Sequence, residues 1–219
     1  MTLEEAIAKI KPLDHNAMEI AQKRWDSIAK PLHSLGKLET LLIQIAGITG
    51  NAEVDLSRRG LIAMCADNGV VEEGVTQTGQ EVTAIVAENF LKYDTSVGVM
   101  CKQNHAEIFP VDMGMVTDTK VRTDHKIAYG TQNMTKGPAM TREQAVKGLE
   151  AGIDMVRELN DKGYRILATG EMGIGNTTTS SAVASVLLKQ PVEEMTGRGA
   201  GLTSEGLVRK INAIKKPLH

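Results

Sequence analysis

Short apolar runs alternate with helical patterns along most of the chain. The runs are GLIAMCAD at 60–67, AEIFPVDMG at 106–114 and YRILATGE at 164–171. Each has the length and unbroken apolar character of a strand that is buried on both faces of a sheet. The segments GQEVTAIVAENFL, TSVGVMCKQN and TREQAVKGLEAGIDMVRELNDKG between them carry apolar residues at helical spacing. This alternation predicts an α/β fold with a parallel, Rossmann-like sheet flanked by helices.

The N-terminal quarter of the chain has a different pattern. Residues 15–51 predict two helices that are broken at Pro31, and the second carries apolar residues at helical spacing (Leu35, Leu38, Leu41, Leu42 and Ile45). We therefore expect a small helical domain over residues 1–55 and an α/β nucleotide-binding domain over residues 56–219.

Two local patterns add detail to the α/β part. Thr141 and Gln144 have the spacing of a capping box, and Gly163 is placed to end the long helix that starts there. The polar stretch 117–140 is longer than an ordinary connection, which predicts a functional loop or an excursion over the sheet.

Composition narrows the range of partners. Lys and Arg (25) nearly balance Asp and Glu (27), so neither nucleic acid nor a membrane surface is expected as a partner. Cys65 and Cys101 form no C-x-x-C motif, and no apolar run reaches the length of a membrane span. These features predict a cytoplasmic protein that binds small molecules.

Each predicted strand ends in an acidic residue: Asp67, Asp112 and Glu171. The carboxyl ends of parallel strands form the ligand crevice of an open sheet, so the three acids are expected to converge on one site. The alternative is that each acid only caps the following turn. The five histidines (His15, His33, His105, His125 and His219) lack the spacing of metal ligands, so neither a metal site nor a cofactor is predicted.

Two glycine-rich segments precede helices. In TGEMGIGNTT, Gly170, Gly173 and Gly175 allow close backbone approach to a ligand, and Asn176 with the following threonines predicts a helix start suited to a phosphate. The alternative is a tight turn packed against the sheet. TGRGAGL at 196–202 leads into a helix with Arg209 and Lys210, which either reach a phosphate or lie in solvent, and the residue pattern alone favours solvent.

Five ordered segments together resemble the nicotinate-nucleotide:dimethylbenzimidazole phosphoribosyltransferase family of cobamide biosynthesis. They are DSIAKPLHSLGKLE, ADNGVVEEGVTQTGQEVTA, GTQNMTKGPAMT, TGEMGIGNTT and GRGAGL, and they span nearly the whole chain. The resemblance implies an enzyme that moves ribose phosphate from nicotinate mononucleotide to dimethylbenzimidazole or a related base. Its products are α-ribazole phosphate and nicotinate, and a homodimer is implied.

The resemblance also implies roles for individual residues. Glu171 and Lys210 are the implied catalytic residues, and Gln80 lies near the acceptor base. The expected substrate-binding residues are Asp67, Gln80, Asp112, Gly173, Gly175, Asn176, Thr177, Thr178, Gly197, Gly199 and Gly201. The family continues past residue 219, and its general-base glutamate lies in that later part, so this chain is expected to be C-terminally truncated.

Two other functions stay open from the residues alone. One is a nucleotide-binding fragment or subunit without catalysis, which turnover of nicotinate mononucleotide would exclude. The other is a Rossmann-like oxidoreductase, which binding of NAD would indicate. The preferred aromatic base is not encoded in any motif, because ring recognition depends on the shape of the pocket.

Overall fold

The computed structural model describes residues 1–218, so His219 lies outside the described residues. The chain forms two compact units, Met1–Arg58 and a larger unit that begins at Arg59. None of the helices in residues 1–218 combines the length and the apolar character that a membrane span requires.

The first unit consists of α1 (Leu3–Ala8), α2 (His15–Ser27) and α3 (Lys37–Thr49). The predicted break between its two long helices is confirmed, but α3 begins later than expected, so Leu35 precedes the helix. Gly36 occupies the N-cap position at φ +54°, a backbone conformation that other residues rarely adopt. The segment between α2 and α3 is anchored by the Lys30 ammonium, which lies 2.9 Å from the nearly fully buried carboxylate of Glu39.

The second unit alternates strands and helices as predicted. Its elements are β1 (Arg59–Ala66), a 3₁₀ turn (Gly69–Glu73), α4 (Glu81–Lys92), α5 (Ser96–Gln103), β2 (Ala106–Gly114), α6 (Arg142–Asp161), β3 (Ile166–Met172), α7 (Asn176–Leu188), α8 (Val192–Met195), α9 (Ser204–Lys215) and a 3₁₀ turn (Lys216–Leu218). The predicted capping box of Thr141 and Gln144 is present at the start of α6.

Within residues 1–218, the three strands form a parallel sheet in the order β2-β1-β3. Alternate residues of β1 face two different cores. Ala63 and Cys65 pack with residues of α4 on one face, and Ile62 packs with Met155 and Leu159 of α6 on the other. The predicted α/β architecture is therefore confirmed. Within the described part of the chain, β3 pairs with β1 on one side and with no strand on the other, which leaves Ile166 42% exposed where the apolar pattern predicted burial.

The long polar stretch 117–140 crosses the carboxyl end of the sheet. The N–H of Gly130 donates to the carbonyl of Gly114 at 3.0 Å, and the N–H of Thr131 donates to the carbonyl of Asp67 at 3.0 Å. Arg122 holds the early part of this stretch through an ion pair of 2.7 Å with Glu158 of α6. The stretch is therefore an ordered excursion over the sheet, as its length predicted.

Candidate active site

The turn from β3 to α7 is built around glycine. A Cβ at Gly173 would lie 2.2 Å from the carbonyl oxygen of Ala66, and Gly175 is the N-cap of α7 at φ +91°. Among the described residues, the N–H groups of Gly175 and Thr177 donate no hydrogen bond. Free N–H groups at the positive end of a 13-residue helix form a site that favours an anion.

This turn lines a cavity of about 280 Å³. Other walls come from the segment after the first 3₁₀ turn, from the second glycine-rich segment and from α9. The lining residues are Val75, Thr76, Gln77, Thr78, Met172, Gly173, Ile174, Gly175, Asn176, Thr177, Arg198, Gly199, Ala200, Leu202 and Lys210. The fold thus brings both glycine-rich segments and Lys210 to one cavity.

Lys210 supplies a buried positive charge to the cavity. Its exposed fraction is 1%, and its ammonium donates to the hydroxyl of Thr177 at 2.6 Å and to the carbonyl of Gly197 at 3.3 Å. No carboxylate of the described residues lies within 4 Å of it. Desolvation therefore lowers the pKa of Lys210. A buried cation without a countercharge is a site that an anionic ligand would stabilise.

The second glycine-rich segment carries two polar contacts that the sequence did not single out. The guanidinium of Arg198 donates to the carbonyl of Leu202 at 2.8 Å and to the hydroxyl of Ser204 at 3.1 Å. The amide of Gln77 donates to the carbonyl of Gly201. Both side chains line the cavity. An arginine enclosed by glycines in GRGAG is the signal that would have identified Arg198.

Glu171 lies beside the cavity rather than in its wall. Its carboxylate accepts a hydrogen bond from the side-chain amide of Asn176, which does line the cavity. Partial desolvation raises the pKa of Glu171, and the bond from Asn176 opposes this rise. Asn176 was expected to cap α7, but Gly175 holds the N-cap position and the Asn176 side chain turns toward the carboxylate instead.

The expectation that three acids share one site is wrong for Asp67 and Asp112. Both are fully buried. Asp67 accepts from the N–H of Val116 at 2.8 Å, and Asp112 accepts from the N–H groups of Gly114 and Met115 at 3.0 and 2.8 Å. These two carboxylates hold the start of the excursion over the sheet, and neither lines the cavity.

Strand register explains the separation. Glu171 pairs with Met64, whereas Asp112 pairs with Cys65, the next residue of β1. Successive residues of a strand face opposite sides, so these two acids leave the sheet on different faces. All three acids still lie at one edge. Burial, followed by the charges of Glu171, Asp112 and Asp67, raises the pKa of the Cys65 thiol to about 12.

Four further predicted residues lie outside the cavity wall: Gln80, Thr178, Gly197 and Gly201. The side chain of Thr178 is fully buried and does not line the cavity. The amide of Gln80 donates to the carbonyl of Asn68 at 3.1 Å. Within residues 1–218, no group of three or more His, Cys, Asp or Glu side chains is arranged to hold a metal ion.

Comparisons with known proteins show which family this chain is similar to. A family model described as phosphoribosyltransferase matches residues 10–219. The nicotinate-nucleotide–dimethylbenzimidazole phosphoribosyltransferase of Ruminiclostridium cellulolyticum is 50% identical over all of this chain and 62% of its own length. The protein of the same name from Clostridium tetani is 46% identical over 99% of this chain and 60% of its own length.

A solved structure is similar as well. The crystal structure of CobT from Thermus thermophilus matches with a TM-score of 0.84 and 36% identity, over 92% of this chain and 61% of that one. The chain thus spans about 60% of the length of these relatives. On the family match and these identities, the chain belongs to the nicotinate-nucleotide:dimethylbenzimidazole phosphoribosyltransferase family.

Proposed function

We propose that this chain binds nicotinate mononucleotide for phosphoribosyl transfer to dimethylbenzimidazole or a related base, giving α-ribazole phosphate and nicotinate. The observation that carries the proposal is the buried ammonium of Lys210, which has no carboxylate partner among the described residues and lies in a cavity that is also lined by a helix N-terminus. The names of the relatives indicate the two substrates. In this proposal, residues 56–219 form the nucleotide-binding domain and residues 1–55 form the small helical domain.

The 5′-phosphate is the part of the nucleotide that suits Lys210. A phosphate would receive a charge-assisted hydrogen bond from the ammonium and further bonds from the free N–H groups of Gly175 and Thr177. Side chains at Gly173 and Gly199 would meet protein atoms within 3 Å, so glycine at these two positions permits the close packing that shapes the cavity wall. The carbonyls of Gly197 and Gly201 accept hydrogen bonds from Lys210 and Gln77, so they hold two side chains of the cavity wall in place.

The chemistry assigns a role to Glu171. When the glycosidic bond to the cationic pyridinium breaks, nicotinate leaves without protonation and the sugar carbon acquires positive charge. A carboxylate beside the cavity stabilises that charge, and Asn176 fixes its orientation. The entering base must lose a proton during the transfer, which requires a general base.

The acceptor base is proposed to lie near Gln80. The amide nitrogen of Gln80 already donates to the carbonyl of Asn68, so its amide oxygen is the group that could accept a hydrogen bond from a ring N–H. We also propose that the protein is a homodimer. Sedimentation velocity measures this directly, and a single monomeric species at all concentrations would oppose it.

Titration calorimetry tests the nucleotide site. Nicotinate mononucleotide should bind one-to-one, and nicotinate riboside, which lacks the phosphate, should bind at least about 10-fold more weakly because it loses charge-assisted hydrogen bonds. Equal affinity for the two ligands would contradict the phosphate assignment.

Turnover is tested separately. Chromatography should detect α-ribazole phosphate when a version extended to the length of the relatives receives nicotinate mononucleotide and dimethylbenzimidazole. Nucleotide binding by both versions with no product from either would favour the alternative function, a nucleotide-binding subunit without catalysis.

A further inference from the structure

Asn68 contacts the back of the glycine turn. It follows β1 and precedes the first 3₁₀ turn. Its side-chain amide donates to the carbonyl of Ile174 at 3.1 Å, and its amide oxygen accepts from the hydroxyl of Thr179 at 3.4 Å. Asn68 thus joins the end of β1 to the turn and to the first turn of α7.

Thr83 binds the other backbone polar group of Ile174. The N–H of Ile174 donates to the hydroxyl of Thr83 at 3.1 Å, and the Thr83 side chain is fully buried. The N–H and the carbonyl of Ile174 are therefore both bonded to side chains from other elements. We call Asn68 and Thr83 the Ile174 clamp.

Packing gives Asn68 a second way to fix the turn. A Cβ at Gly175 would lie 3.2 Å from the Cβ of Asn68, and a Cβ at Gly173 would lie 3.0 Å from its amide nitrogen. Asn68 therefore leaves no free space for a side chain at either glycine. Neither member of the clamp lines the 280 Å³ cavity, so both act from behind the turn.

We propose that the Ile174 clamp positions the glycine turn for anion binding before the ligand arrives. Asn68 and Thr83 are positioning residues, and the inference depends on the proposed nucleotide site. A turn that is already held in its binding conformation loses less entropy when the ligand binds. Loss of the clamp should therefore weaken the binding of the ligand without removing any protein atom that contacts the ligand.

Four variants separate positioning from general stability. Asn68→Ala and Thr83→Val each remove one bond to Ile174, and each should lower nicotinate mononucleotide affinity about 2- to 10-fold. Thr83→Ser keeps the hydroxyl acceptor and should retain wild-type affinity. Asn104→Ala is the matched control, because the Asn104 amide also donates to a backbone carbonyl, that of Met100, at the opposite end of β2. This control should bind as the wild type does.

Hydrogen exchange in the ligand-free protein tests the clamp without relying on the nucleotide. The N–H of Ile174 should exchange faster in Asn68→Ala and Thr83→Val than in the wild type or Thr83→Ser. If the wild-type protein does not bind the nucleotide, the proposed function fails while exchange still reports on the clamp. Faster exchange with unchanged affinity, or unchanged exchange in both variants, would overturn the positioning role.

Discussion

Replacing Lys210 with methionine separates binding from stability. Methionine preserves most of the side-chain volume but removes a charge that is almost wholly buried, given the 1% exposed fraction of Lys210. Two hydrogen bonds are lost, to the hydroxyl of Thr177 and to the carbonyl of Gly197. Thr177 and Gly197 are both exposed, so water can replace the ammonium as their partner.

The expected change in stability is small. Two hydrogen bonds that a charged donor makes are worth about 3 kcal/mol or more together, but burial of an ammonium without a countercharge costs several kcal/mol. The terms oppose each other, so the free energy of unfolding of Lys210→Met should lie within about 1 kcal/mol of the wild-type value or above it. For an anionic ligand the charge of Lys210 is favourable with no opposing cost, so the affinity of the ligand for Lys210→Met should fall about 10- to 150-fold.

Calorimetry with nicotinate mononucleotide and urea denaturation measure the two quantities. Lys215→Met is the matched control. Lys215 lies on the same helix and its loss changes the net charge equally, but it pairs with Glu193 and does not line the cavity. Wild-type affinity in a folded Lys210→Met variant, or equal loss of affinity in both variants, would refute the assignment of Lys210 to the anion.

Stability against pH gives an independent check on Lys210. Its folded-state pKa lies below the ordinary 10.5 because burial disfavours the charged form. Between these two pKa values, the unfolded chain binds more protons than the folded protein, so stability from this group rises with pH. The rise should be present in the wild type and absent in Lys210→Met.

Three other substitutions have defined outcomes. Gly175→Val should weaken the binding of nicotinate mononucleotide by about 1–3 kcal/mol, because the turn backbone could no longer approach the ligand closely. A Cβ at this position would meet Val71 at 3.0 Å, and the φ of Gly175 is +91°. Unchanged calorimetric affinity would remove the turn from the site. Glu171→Gln should reduce product formation in a length-extended version while the fold is kept. Since desolvation raises the Glu171 pKa above 4.5, wild-type stability should fall as pH rises from 4.5 through the raised value, and the variant should lack this fall; a slope that persists would contradict the raised pKa. Asp112→Asn should lower the free energy of unfolding by about 3 kcal/mol because it removes the carboxylate 3.2 Å from the Lys126 ammonium, yet leave nucleotide affinity unchanged; a loss of affinity would return Asp112 to the site.

Local patterns were sufficient for much of the fold. Apolar runs of strand length, helical spacing between them and the Thr141 capping box predicted the order of the elements, because each depends on residues that are close in the chain. The glycines at 173 and 175 marked the turn before α7 for the same reason. Parallel topology then followed, since each strand is separated from the next by helices.

The sequence did not determine which side chains share the cavity. Asp67, Asp112 and Glu171 occupy equivalent places in their own segments, yet the register of β1 places Glu171 and Asp112 on opposite faces of the sheet. Whether Lys210 lies in solvent or in the cavity also stayed open from the sequence. Packing of α9 beside the glycine turn buried it against Thr177, 33 residues earlier in the chain.

No local sequence pattern identified Asn68 as a functional residue, because its partners Ile174 and Thr179 are more than 100 residues away in sequence. Hydrogen bonds of this kind depend on distances and angles of a few tenths of an ångström between separately folded elements. The sequence of this protein therefore determined which elements form and where their turns lie. Only tertiary packing decided which polar groups meet, since strand register and burial fix the direction and the charge environment of each side chain.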